Sequence, residues 1–234
     1  MRKIFLDIGA YHGETLSFIK KTNEFDEIHS FEICTENCEK YLNKFKSDNI
    51  FIHNFGLLDK NDNITLYNPG SDGASIYKEK SSSRGFTNNK IYNVIKASDW
   101  FKENINANDI VIVKINCEGS ETRIITNLIE SGEYDKITLV FIWLDILKCK
   151  KDNIIKYFLK FHNLIKNKKN YLYGHFIDAT ISGKKLKSQW DITSSKADIC
   201  YTIYNLLKSK DFDLYKIFDI KKIEEINNKL LTSY

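Results

Sequence analysis

The chain opens with an unbroken apolar run, Ile4-Phe5-Leu6, that stops at Asp7 and leads into two closely spaced glycines, Gly9 and Gly13. A short run that is apolar at consecutive positions fits a strand covered on both faces. Runs of this kind predict strands over residues 3–7, 27–32, 50–54, 110–116, 138–143, 171–176 and 198–204. The segments between and after them predict helices over 14–21, 35–45, 98–103, 120–131, 152–167 and 220–231. Alternation of strand and helix predicts an α/β fold, a doubly wound and mostly parallel seven-stranded sheet. Ser98, ahead of Trp100 and Phe101, is placed to cap a helix start, and Gly132 to stop a helix.

Between residues 54 and 99 the rhythm changes. Residues 64–67 and 91–95 predict two extra short strands, an inserted hairpin, flanking a long polar stretch that holds Pro69, Gly70, Gly73 and the Ser81-Ser82-Ser83 run. A long loop over the carboxyl edge of such a sheet fits a substrate lid, here residues 69–90. The whole chain, 1–234, reads as one domain, with residues 206–234 as a C-terminal helical extension.

The first strand and its turn carry the first chemical signal. Gly9 and Gly13 let backbone approach a ligand, and the helix that follows points free N–H groups at it. Glu32 closes the second strand, where a carboxylate accepts from both hydroxyls of a ribose. Dinucleotide enzymes place G-x-G-x-x-G at this turn. This chain instead has Asp7-x-Gly9-x-x-x-Gly13, the pattern used for S-adenosylmethionine (SAM), and Asp7 and Glu14 would attract a sulfonium and an ammonium. The expected cofactor-binding set is Asp7, Gly9, Ala10, Tyr11, Gly13, Glu14, Thr15, Glu32, Ile33, Asn54, Gly56 and Asn116.

The second signal ends the fourth strand. Lys114-Ile115-Asn116-Cys117-Glu118-Gly119-Ser120-Glu121 runs from strand into helix, at the strand end expected beside the first strand, where ligands of open α/β sheets sit. Together the two motifs, with Phe31-Glu32 and residues 93–100, resemble the FkbM family of SAM-dependent methyltransferases, whose hallmark K-I-D-x-E-G-x-E is matched at 114–121. The resemblance implies a class I, Rossmann-like methyltransferase fold and O-methylation of a sugar, glycan or related small-molecule hydroxyl. Asn116 stands where the family has Asp, which removes a negative charge from the position of an expected metal ligand or base. A divalent metal, Mg²⁺ or Mn²⁺, is therefore weakly expected, and no ligand set is assigned to it. Lys114, Asn116, Glu118 and Asp145 are the expected catalytic residues: Glu118 and Asp145 as bases, Lys114 to steer a polar acceptor or pair with Glu118. Tyr11 and Trp143 are secondary candidates to flank a ring, and His12, His53 and His175 lie near the predicted strand ends or first turn.

Composition narrows the field further. The net charge of +4 comes from interspersed charges and shows no global nucleic-acid footprint. The single proline, Pro69, precedes glycine, which excludes the Pro-dependent motifs of exocyclic-amine and cytosine-C5 nucleic-acid methyltransferases, so DNA is not an expected partner. Asn116 counts against the Lys-Asp-Lys-Glu RNA ribose class. Five scattered cysteines make no disulfide framework, Cys34 and Cys38 read as packing, and no run reaches the length of a membrane span. A cytoplasmic setting is expected. Two alternatives stay open: a SAM-binding but catalytically silent protein, suggested by Asn116, and an NAD-dependent oxidoreductase, which leaves the 114–121 motif unexplained.

Overall fold

The computed structural model describes residues 1–81, 88–143, 145–148, 157, 160, 161, 163–165, 168, 170–173, 179–181 and 184–186. Six strands form the main sheet: β1 (Lys3–Ile8), β2 (Glu27–Phe31), β3 (Ile50–His53), β7 (Ile110–Ile115), β8 (Leu139–Ile142) and β9 (Tyr171–Tyr173). Their order is β3-β2-β1-β7-β8-β9, and every neighbouring pair is parallel. Chain order reverses between β1 and β7, so the crevice at their carboxyl ends is the switch point of the sheet. The predicted strand at 198–204, the helix at 220–231 and the 206–234 extension lie outside the described residues. Of the predicted helix at 152–167, residues 157, 160, 161 and 163–165 are helical.

Alternation along the central strands sorts their side chains onto two faces. Ile4, Leu6 and Ile8 of β1 and Val111, Val113 and Ile115 of β7 join one core. Helices α4 (Ala97–Asn104) and α5 (Glu121–Ser131) cover that face, contributing Trp100, Phe101, Ile124, Ile125 and Leu128. Phe5 and Ile112 point the other way, into a core shared with Leu16 and Ile19 of α1 (Glu14–Thr22) and with Cys38 and Leu42. A sheet with helices on both faces follows from those two cores.

The predicted 35–45 helix is present but irregular: α2 (Thr35–Asn37) passes into a π turn over Cys38–Leu42 and a 3₁₀ turn over Asn43–Phe45. The widened turn buries both Cys38 and Leu42. Cys34 and Cys38 are free, buried thiols, and burial pushes Cys38 up to about 12. Helix α4 starts one residue earlier than expected, after Lys96. Ser98 does not cap it; its N–H instead donates to Asn127 Oδ1 of α5 at 2.9 Å. Gly132 stops α5 in the left-handed conformation, as expected.

The insertion between β3 and α4 builds its own sheet. β5 (Asp62–Tyr67) and β6 (Asn89–Lys96) are the expected antiparallel pair, and β4 (Gly56–Leu58), which the sequence reading missed, pairs parallel with β6 on its other side. Between β5 and β6 lies a short helix, α3 (Lys78–Ser81). A separate hairpin, β10 (Ala179–Ile181) with β11 (Lys184–Leu186), falls in the polar segment that follows β9. Among the described residues no helix is long and apolar enough to cross a membrane.

Two features of this frame have measurable consequences. His29 and His53 sit side by side on β2 and β3, with Nδ1 of one 3.0 Å from Nε2 of the other, stacked among Phe31, Phe51 and Trp100. Burial lowers both rings, and His29 lowers His53 further, to about 4. Neutral rings are therefore the folded form. Their stabilisation is complete above the ordinary histidine value near 6.5 and is lost as pH falls toward 4. Thermal melts from pH 7.5 to 4.5 are expected to show a steeper acid loss for wild type than for His53→Gln, by about 2 kcal/mol or on the order of 5 °C. Gly9 has φ +82°, and a Cβ there would collide with the Asn116 carbonyl. Gly9→Ala is expected to lose about 2 kcal/mol or more in urea unfolding, because strain and clash add.

Candidate functional site

Asp7 and Lys114 are directly opposite in the β1–β7 register. Both are buried, and the Lys114 ammonium donates to Asp7 Oδ1 at 2.8 Å and to the Gly9 carbonyl at 2.7 Å. The turn after β1 is also fastened to the end of β2, because the N–H groups of Gly9 and Ala10 donate to Phe31 O at 3.0 and 2.9 Å. Glu32 completes the fastening. One carboxylate oxygen accepts from the Tyr11 N–H at 2.8 Å, the other from the Cys34 N–H at 2.9 Å. Burial raises the Glu32 carboxyl, and those two N–H groups act against the rise. Tyr11 is held at φ +52°, a strained value for a tyrosine.

The β7–α5 turn faces this one across the crevice. Asn116 N donates to Ile8 O at 3.0 Å, which ties the two turns together. Glu118 at φ +53° and Gly119 at φ +115° reverse the chain. Glu121, fully buried, holds the reversal by accepting from the N–H groups of Cys117 and Gly119 at 2.9 to 3.1 Å. Burial first, and then the charge of Asp145, push the Glu121 carboxyl up to about 8 against the pull of those donors. Asn116 Oδ1 is buried and has no hydrogen-bond partner among the described residues.

Between the turns opens a cleft of about 640 Å³. Its walls include Gly9, Ala10, Tyr11, Glu14, Thr15, Glu32, Ile33, Gly56, Lys114, Asn116 and Glu118, all expected from sequence. Four expected residues stand elsewhere. Asp7 lies beneath the turn with its charge answered by Lys114, so it shapes the site without lining it. Gly13 does not border the cleft; a Cβ there would press on Leu42, so its role is close helix packing. Asn54 is exposed, and its side chain bonds Thr35. Asp145 is buried at the start of a 3₁₀ turn (Asp145–Lys148), outside the lining, 3.6 Å from the Lys80 ammonium.

Lys114 also departs from its expected part. It borders the cleft, but its ammonium points into Asp7 and Gly9 O, and the cation on Glu118 is Lys80, from the segment between β5 and β6. Trp143 is partly buried against the core that holds Leu16 and Ile19 of α1, and it does not border the cleft. His12 stacks on Tyr11 and lies tilted against Tyr41, His53 is half-buried and pairs with His29, and His175 lies outside the described residues.

The sequence reading expects a lid over residues 69–90 but names none of the side chains with which this roof lines the cleft. Ser71, Asp72, Gly73, Ala74, Ile76 and Lys80 line the cleft from the β5–β6 connection, and Leu57, Leu58, Ile64, Leu66 and Val94 give it an apolar wall from the small sheet. The signal was the Gly- and Ser-rich run itself, which marked the segment without saying which of its side chains turn inward. Among the described residues no group of three or more His, Cys, Asp or Glu is placed to hold a metal.

Comparison with known proteins agrees with this geometry. No curated protein and no solved structure matches the chain. The methyltransferase FkbM domain matches residues 7–167, a span from Asp7 of the first turn through both motifs and the roof. With more than half of its 234 residues inside that match, the chain belongs to the FkbM methyltransferase family.

Proposed function

We propose that this methyltransferase carries a methyl group from SAM to a hydroxyl of a sugar, glycan or related small molecule. One observation carries the reading: Asn116 Oδ1, a buried acceptor with no partner among the described residues, belongs to a residue that lines the cleft opposite the Gly9–Tyr11 turn. An orphaned buried acceptor costs about 1–3 kcal/mol unless a ligand donor satisfies it, and the cofactor's ammonium is such a donor. Glu32 fits a ribose hydroxyl although both of its oxygens are engaged, since a carboxylate has about four lone-pair sites and three are taken, by the Tyr11 and Cys34 N–H groups and by the Asn37 side-chain amide at 3.5 Å. Glu14 and Thr15 add polar groups to the same wall.

The cofactor supplies an electrophilic methyl on a positively charged sulfur. The chain's own work is then to aim an acceptor oxygen in line and to remove its proton. Glu118 borders the cleft just beyond β7 and is our candidate for that base. The acceptor's O–H proton passes to the Glu118 carboxylate as the oxygen–carbon bond forms and the sulfur–carbon bond breaks. Asn116 serves as a binding group, because an amide does not take up a proton at neutral pH. The free thiols Cys34, Cys38 and Cys117 suit a reducing, cytoplasmic setting.

S-Adenosylhomocysteine (SAH), the demethylated product, at about a hundred times its dissociation constant is expected to stabilise the protein by about 2.7 kcal/mol in a thermal shift, with NAD giving no shift. Glu32→Ala is expected to weaken SAH binding tenfold or more. An unchanged melting temperature with SAH, or an equal shift with NAD, contradicts the reading. A screen of sugars and glycans with labelled SAM, with and without Mg²⁺ or Mn²⁺, then separates a working enzyme from a silent binder.

A further inference from the structure

Lys80 is a buried lysine carried into the cleft by the β5–β6 connection, only 7% exposed. Its ammonium contacts Glu118 Oε2 and lies 3.6 Å from Asp145 Oδ2. Two neighbours from the same segment grip the same turn. Ser75 Oγ donates to Glu118 O at 2.6 Å and accepts from the Tyr77 N–H at 3.1 Å. The Tyr77 ring lies so close to Gly119 that a Cβ there would stand 3.0 Å from it. The roof is thus pinned to the 116–120 turn by one hydroxyl, one ring and one charge.

The charge is the selective member of the three. Glu118 and Asp145 both face the Lys80 ammonium, and like charges in a low-dielectric site oppose one another. A cation between Glu118 and Asp145 removes that opposition. Conversely, a lysine is hardly ever buried this deeply without such partners. Seating the roof and fixing the Glu118 carboxylate are therefore one event.

We propose that Lys80 is a positioning residue: it fixes the Glu118 carboxylate at the acceptor end of the cleft and, through that ion pair, holds residues 71–80 over the site as a lid. The part this plays in catalysis rests on the reading of Glu118 as the base that takes the acceptor's proton; the clasp itself can be tested without any ligand.

Hydrogen exchange of the full chain, followed by mass spectrometry on peptides covering residues 71–81, measures the clasp. Without ligand, Lys80→Met and Glu118→Gln are each expected to speed exchange there tenfold or more. Lys80→Arg is expected to stay within about threefold of wild type, since it keeps the cation. The Lys80→Met/Glu118→Gln double variant should exchange no faster than Lys80→Met alone, because that substitution already removes the pair that Glu118→Gln breaks. Wild-type exchange in Lys80→Met, or a double variant whose acceleration is the product of the two singles, overturns the proposal. Should Lys80→Met fail to fold, Glu118→Gln breaks the same pair from the other side, and wild-type exchange in that variant is equally fatal. Repeating the series with SAH separates the two readings: wild type that ignores SAH counts against the cofactor, while the ligand-free exchange still decides the clasp.

Discussion

A lysine and an aspartate face each other across two parallel strands, and the site depends on that pairing. Asp7 and Lys114 stand near the carboxyl ends of β1 and β7, both buried. Desolvating the two charges is expensive, and such a pair contributes little or nothing to net stability when compared with apolar residues of the same shape. Its value lies in what else Lys114 reaches. By donating to the Gly9 carbonyl as well, the ammonium fixes the direction of the chain as it leaves the strand. Tyr11 is then held in a left-handed conformation, and the Glu32 carboxylate accepts its N–H. The β1 turn is thus braced from β7 on one side and from β2 on the other before any ligand arrives.

A second charge arrangement closes the opposite wall. Glu121 secures the β7–α5 reversal from inside the protein, and the reversal carries Glu118 out to where Lys80 descends from the roof. The family hallmark therefore divides its labour. Lys114 and Glu121 build the two turns, while Asn116 and Glu118 are presented to the cleft. Between them, the small sheet supplies apolar surface, while the polar groups come from the two turns and from Ser71, Asp72 and Lys80 of the roof. That distribution is common to small-molecule sites.

The centre of the main sheet was legible because β1 and β7 are covered on both faces and so read as nearly continuous apolar runs broken by a polar residue near their ends. The side of the cleft formed by the two turns was legible as well, since glycines and a strand-end carboxylate have few other reasons to occur together. Pairing was not. Asp7 and Lys114 are 107 positions apart, and only the parallel register shows that the lysine answers Asp7 and not Glu118. β4 was invisible because three residues, one a glycine, carry too short a pattern. Ser98 looked like a cap by type and place, but tertiary contact with Asn127 let the helix begin earlier. Lys80 differs from Lys78, its neighbour in the same short helix, in nothing that sequence records; its burial comes from where α3 packs.

On the proposed function, the Asp7–Lys114 bridge serves ligand binding by bracing the glycine turn, not by holding the fold together. Removing both charges at once avoids leaving one of them buried alone. The direct measurement is titration calorimetry with SAH on the Asp7→Asn/Lys114→Met double variant, alongside its urea unfolding. The account requires a folded protein, within about 1–2 kcal/mol of wild type, whose SAH affinity has fallen tenfold or more. A double variant that binds SAH as tightly as wild type would contradict it.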